Sequence, residues 1–325
     1  MAVSRNYVVR AALVLVLITT VAQGQLWAES WPRRNVRFIV PLGPGSGVDI
    51  GARLFAERLA SQWGRPVVVE NRPGGDAIVA ITAFTSAHDD HTLLVAPVAT
   101  FTAHPFLHDA VPYDQRDLVP IARISETIVA VSVPSSLNIG SVKDLVEFAR
   151  AQPGKLNWTT ATGFTDFLFA GFLLSQGMRM AKVPYRDPVQ AVNDLAEDRI
   201  QVYMPAFAIV RPQVQAGKVK VLAVTNDQRA RVLPDVPTVV EAGYPELAFD
   251  GLVGLFGPRE MSTEVRDRIA ADIRTVAGDP AVDAQLTTTG QIVSPGSSAE
   301  FAVSIQQQRA SVAAVARIFG NKPVQ

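Results

Sequence analysis

The sequence predicts an α/β protein of two lobes, each a mostly parallel sheet flanked by helices. Three observations carry this expectation. The chain has 325 residues, 48 % hydrophobic and 18 % charged, an ordinary balance for a folded α/β protein and too much chain for one small core. A strand–loop–helix–strand unit occupies residues 36–70. The same grammar returns at residues 156–185 with almost no shared residues, a repeat of architecture more than of sequence.

The first thirty residues, MAVSRNYVVRAALVLVLITTVAQGQLWAES, place Arg5 and Arg10 ahead of an apolar run over 11–22, followed by the small residues Ala22, Gly24 and Ala28. That layout predicts a secretory signal peptide over residues 1–28: the apolar run is short for a span, and a peptidase requires small side chains. An uncleaved anchor is the alternative. The exported protein then begins between Gln23 and Trp31. No later segment approaches membrane length, and the absence of cysteine excludes disulfides and thiol chemistry.

From residue 36, VRFIV reads as a strand, PLGPGSG as a loop, and 48–63 as a helix with Ile50, Leu54, Phe55 and Leu59 at helical spacing. Gly64 stops it. Val67 to Val69 then form a β-branched run suited to a strand covered on both faces. In the second unit, LNWTTA (156–161) leads through TGFTD into a helix over 166–176, with Gly177 as the stop and MAKVPY (180–185) as the next strand. TIVAVSVP (127–134) and DGLVGLFGP (250–258) read as two crossings between lobes. A helix at 142–151 follows the first crossing, and helices near 263–276 and 299–319 follow the second. The first lobe is then discontinuous, 29–128 and 252–325, around a second lobe of 129–251, with a hinged cleft between them.

Thirty basic and thirty acidic residues cancel, so nothing in the charge recommends a nucleic-acid partner. In open parallel sheets, ligands settle beyond the carboxyl ends of the strands, where GPGSGVD lies. Gly43, Gly45 and Gly47 let peptide N–H groups approach a ligand closely, and the helix start behind them favours negative charge, which suits a small anion. The loop contains neither GxxxxGK[ST] nor GxGxxG, so it is not a nucleotide loop on those grounds. The plainer alternative is a simple turn, with Asp49 as a first-turn acid. HDDH (88–91) reads as a polar turn, while His104 and His108 share helical i, i+4 spacing but have Pro105 between them, so no metal site is expected. HExxH and GxSxG are absent. Asp49, Asp76, Asp166, Asp187 and Asp194 all fall where caps or turns use aspartate, so an enzymatic reading lacks support.

These residues resemble the substrate-binding proteins of tripartite tricarboxylate transporters, the Bug family named from Bordetella uptake genes. The resemblance runs through WPRRNVRFIVPLGPGSGVD, PVVVENRPGG, PYDQRDLVPIARI, PGKLNW, VPYRDPVQAVNDL and LAVTNDQRARVLPDVPTVVEAGYPELAFDGLVGLFGP. It implies a type II periplasmic-binding-protein fold of the Venus-flytrap kind. It also implies a periplasmic, monomeric, non-enzymatic protein without cofactor or metal, which captures a small carboxylate and delivers it to the membrane subunits of a secondary transporter. A sensing receptor that signals to a membrane kinase is the alternative, with a secreted enzyme behind it. Carried over residue by residue, the ligand site comprises Leu42, Gly43, Gly45, Ser46, Gly47 and Asp49, then Pro73, Gly74 and Thr100. From the second lobe it takes Thr162, Gly163, Phe164, Thr165 and Tyr185. Two departures from the family bear on the ligand: TGFTDFLF carries Phe164 and Asp166, implying a more apolar cleft, and Gln201 stands where an acid for a substrate ammonium is usual.

Overall fold

The computed structural model describes residues 31–160, 163–185 and 187–318, so the expected signal peptide and Thr162 lie outside the described residues. The first unit forms as predicted: β1 (Val36–Val40), α1 (Gly47–Trp63) and β2 (Val67–Asn71), with β1 and β2 parallel. Ser46 caps α1 by accepting the Asp49 N–H at 3.2 Å, and Gly64 ends it in the left-handed conformation at φ 63°. Next come α2 (Ile78–Thr85), β3 (Thr92–Pro97), α3 (Val98–Leu107) and β4 (Val119–Thr127). The chain then enters a second sheet through β5 (Ala130–Pro134), α4 (Val142–Ala151), β6 (Asn157–Thr160), α5 (Phe164–Ser175) and β7 (Ala181–Lys182). α6 (Pro188–Ala196), β8 (Val202–Met204), α7 (Phe207–Gln215) and β9 (Val219–Val224) complete that sheet. The return is β10 (Gly251–Gly257), followed by α8 (Thr263–Ala277), α9 (Pro280–Thr288), β11 (Gln291–Gly296) and α10 (Ser298–Ile318).

Two sheets result, ordered β11-β4-β10-β3-β1-β2 and β7-β6-β8-β5-β9. Each is mixed. The strands of the βαβ units pair in parallel, β2-β1-β3 and β7-β6-β8, whereas β4, β10, β11, β5 and β9 join by antiparallel pairings. The strands that run against the βαβ units are β10 and β11 in the first sheet and β5 in the second, and β10 and β5 are the strands by which the chain enters each sheet from the other. TIVAVSVP is accordingly divided: β4 ends at Thr127 in the first sheet, and β5 begins at Ala130 in the second.

Helices cover both faces of both sheets. Phe38, Phe55, Leu59, Ile269 and Leu286 bury one face of the first sheet under α1, α8 and α9, and Phe84, Phe101, Phe256 and Phe301 bury the other under α2, α3 and α10. In the second sheet, Trp158, Phe169 and Phe172 lie under α4 and α5, while Leu195, Tyr203 and Val210 lie under α6 and α7. α10 ties the two layers together. Its Phe301 belongs to the first sheet's core and its Val312 to the second's.

Two expectations need correction. β2 is an edge strand with Val68 half exposed, so its valine run marks high β propensity and not burial on both faces. α3 continues through Pro105. Proline leaves the carbonyl of the residue four before it without its helical donor, and here Gln115 Nε2 donates to that Phe101 oxygen at 2.8 Å.

Candidate ligand site between the two sheets

The loops that follow β1, β2 and β3 lie at the carboxyl edge of the first sheet, and those that follow β6, β7 and β8 at the carboxyl edge of the second. The glycine loop is built around one carboxylate. Asp49 Oδ2 accepts the Gly45 N–H at 2.9 Å and Arg53 Nε at 3.2 Å, and Oδ1 accepts Asn71 Nδ2 at 2.7 Å. Asn71 also donates to the Leu42 carbonyl at 2.9 Å, which locks the loop to the end of β2. Burial alone would raise the Asp49 pKa, but the hydrogen bonds from Arg53, Asn71 and Gly45 outweigh it and hold the group below its ordinary value of 3.8. Asp49 is 2 % exposed with both oxygens engaged, so it braces the loop from within and offers no free carboxylate to a ligand.

The remaining loop residues divide by task. Gly45 at φ 83° makes the turn, with open space where a side chain would stand. Gly47 is needed for a different reason, since a Cβ there would lie 2.7 Å from Gln291 Nε2. Gly47 and Val48 open α1, and the first N–H groups of a helix have no intrahelical acceptor, so they mark its electropositive end. Leu42 is exposed and Gly43 partly so, while Ser46 spends its hydroxyl on the cap. Pro73 and Gly74 are exposed on the loop after β2, and Thr100 is half buried in the first turn of α3.

Opposite them, Gly163 precedes α5 at φ 59° and ψ −116°, and α5 has no side-chain cap of its own. A Cβ at Gly163 would lie 3.3 Å from Asp76 Oδ1, so the loop after β2 meets the loop after β6, and an acid from one sheet stands at a helix start of the other. Asp76 is in turn held by α3. The fully buried His104 donates from Nε2 to the Asp76 carbonyl at 2.8 Å and accepts from the Tyr113 hydroxyl at Nδ1. Burial lowers the His104 pKa and raises that of Tyr113. This cluster escaped sequence reasoning, because Asp76 reads as a turn residue and only the packing of α3 against that loop joins it to the histidines.

Other expected site residues turn away. Phe164 is buried and packs on Phe249 at 4.9 Å between centroids, so it belongs to the core and does not make the cleft apolar. Thr165 is buried beside it in the first turn of α5. The Tyr185 hydroxyl donates to Asp194 Oδ2 at 2.7 Å; burial first, then that carboxylate, push its pKa up to about 12. Asp166 pairs with Lys182 at 2.9 Å and accepts Thr160 Oγ1 at 2.6 Å. Gln201 accepts the Asn157 N–H at 2.8 Å, at the amino end of β6, and so stands at the opposite edge of the sheet from the loops.

A cavity of about 270 Å³ lies elsewhere, behind the crossing segments, lined by Arg123, Glu126, Asp227, Arg231 and Asp250 among others. None of the residues expected at the site lines it. Its carboxylates outnumber its guanidinium groups, so it suits an organic acid less well than the glycine loop does. HDDH is a turn, as read: Asp89 accepts the His91 N–H at 2.7 Å and the Thr92 hydroxyl at 3.0 Å. No helix among the described residues is long and apolar enough to cross a membrane.

Residues 51–320 match the family described as the tripartite tricarboxylate transporter family receptor. Protein BugT of Bordetella pertussis is 30 % identical over 240 residues, covering 71 % of this chain and 73 % of that protein. Among solved structures, one described as a periplasmic transporter is 28 % identical, with a TM-score of 0.80 over 90 % of this chain and 99 % of that one. The R. palustris protein Rpa4515 with adipate is 26 % identical, with a TM-score of 0.81 over 91 % of this chain and all of the other.

Proposed function

The chain belongs to the tripartite tricarboxylate transporter family of receptors, and from that premise we propose that it is a periplasmic solute receptor that takes a small organic acid between its two lobes. The lobes are residues 29–128 with 252–325 and residues 129–251, after removal of a signal peptide over 1–28, and the acid passes to the membrane subunits of a secondary transporter. One observation carries the reading: loops from the carboxyl edges of the two sheets meet, and the Asp76 carboxylate already stands at the N-terminal end of α5. A solute carboxylate held at the start of α1 would meet an electropositive helix end there, with the rest of the solute reaching the loop around Gly163.

The binding surface is the backbone of 42–47 and 73–74 with Thr100 on one side, and Thr162 and Gly163 with the start of α5 on the other. Asp49 holds the first loop in shape. Charge-assisted hydrogen bonds contribute about 1.5–3 kcal/mol each, so a few of them reach the roughly −8 kcal/mol of micromolar binding. The adipate held by the Rpa4515 relative puts dicarboxylates first among candidates.

Calorimetry against mono-, di- and tricarboxylates tests the reading. At least one acid should bind at micromolar level and stabilise the protein by about 2.7 kcal/mol at a hundredfold excess over Kd. Gly45→Val, which strains φ 83° without a clash, should weaken that binding at least tenfold while the fold survives. Undiminished affinity in this variant would remove the glycine loop from the site.

A further inference from the structure

His104 and His108 stand one turn apart on α3, with His108 as the residue that follows its last helical position, and their rings meet edge to face with centroids 5.1 Å apart. Asp76 arrives from the loop after β2. Its Oδ2 lies 3.6 Å from His104 Nε2 and 3.4 Å from His108 Nε2. Two donors each about 2.1 Å from a shared ion, at a tetrahedral angle, are separated by about 3.4 Å. Both histidine nitrogens thus stand near ligand spacing from the carboxylate, all three donor atoms lie within 4.8 Å of one another, and an ion between them requires the His104 ring to turn Nε2 away from the Asp76 carbonyl.

We propose that Asp76, His104 and His108 bind a divalent transition-metal ion of the zinc, cobalt and nickel class. Two imidazoles and one carboxylate suit these ions, whereas calcium and magnesium call for oxygen donors. The outer partner is present as well, since His104 Nδ1 lies 2.5 Å from the Tyr113 hydroxyl. Without an ion, the Nε2 proton of His104 goes to the Asp76 carbonyl. On binding, the ion takes the place of that proton at Nε2, the ring carries its proton on Nδ1 and donates it to Tyr113 Oη, and the imidazole stays neutral. Two other groupings lack these features. In Asp89, Asp90 and His91 the donor atoms are taken up by the turn, and Glu126, Asp227 and Asp250 offer no nitrogen. Asp76 is common to this site and to the meeting of the two loops, but ion binding by these three side chains needs no solute.

The test is titration of the purified, chelator-stripped chain with Co2+, followed by its visible absorption, with Zn2+ as competitor. One ion per chain is expected, with the intense bands of a low-coordinate nitrogen and oxygen site and full displacement by Zn2+. His108→Ala and Asp76→Ala should each weaken binding at least tenfold, while His88→Ala, on the exposed turn, should not. Circular dichroism confirms the fold of each variant; His104 is left intact because it is buried. Absence of saturable binding overturns the proposal, and so does binding undiminished in the folded Asp76→Ala, His108→Ala double variant. Carboxylate affinity of the same stripped protein reports separately on the solute site.

Discussion

Asp49 shows how a residue whose type suggests chemistry performs a structural task. A carboxylate at the mouth of a glycine loop invites assignment to the ligand, yet its oxygens are consumed by the Gly45 N–H, Arg53 and Asn71. Its pKa is lowered in the folded state from 3.8, so its stabilisation is present above that value and is lost as pH falls through the lower folded one. Asp49→Asn should cost about 1–3 kcal/mol, as expected for a buried network left partly unpaired, and should remove this part of the acid dependence. Urea denaturation of both proteins between neutral and acid pH checks it. Equal stability at neutral pH would mean that Arg53 and Asn71 hold the loop unaided. The aspartate was legible as a first-turn acid; its partner Asn71 was not, because nothing local in the sequence places the end of β2 beside the loop.

Among the elements, the βαβ units were the most legible. Apolar residues at a period of 3.6 between short β-branched runs, with Gly64 and Gly177 as stops, fix helices and strands through local sterics. The strand β11 and the helix α9 have weak patterns and depend on neighbours for their definition, so the sequence alone does not mark them. Pro105 is the converse case, a local helix breaker overruled by a tertiary donor, Gln115. α10 depends on a still closer fit. A Cβ at Gly254 of β10 would lie 1.9 Å from the ring of the fully buried Phe301. Gly254→Ala should therefore destabilise by about 1–3 kcal/mol through overpacking, with the loss read in thermal unfolding, and Phe301→Leu should recover part of it. A neutral Gly254→Ala would show that α10 can slide on the sheet.

For the molecule as a whole, the two sheets are joined where β4 passes to β5 and where the chain returns to β10, and a group of carboxylates lies at this junction. Burial raises the pKa of Glu126, Ser294 opposes it by a hydrogen bond, and Asp250 and Asp227 add to it more than the Arg123 guanidinium removes. Asp250 is raised as well, again chiefly by burial. For an acid raised in the fold, the stabilisation is complete below the unfolded value, 4.5 for Glu126, and is lost as pH rises through the folded one. The sign is opposite to that of Asp49. Glu126→Gln should raise the melting temperature at neutral pH and flatten this dependence, because Arg123 keeps its bond to the Ser294 carbonyl at 2.7 Å. A lower melting temperature would assign the Arg123 pair the larger share.

The sequence by itself determined the α/β class, the repeated unit and the glycine loop, since periodicity and turn chemistry act over a few residues. Only the tertiary structure decided the mixed pairing of the sheets, the inward turn of Asp49, Phe164 and Tyr185, and the meeting of Asp76 with Gly163 and the two histidines. Those outcomes depend on which distant segments pack together, and packing is settled by the shapes of whole layers, which no short stretch of sequence records.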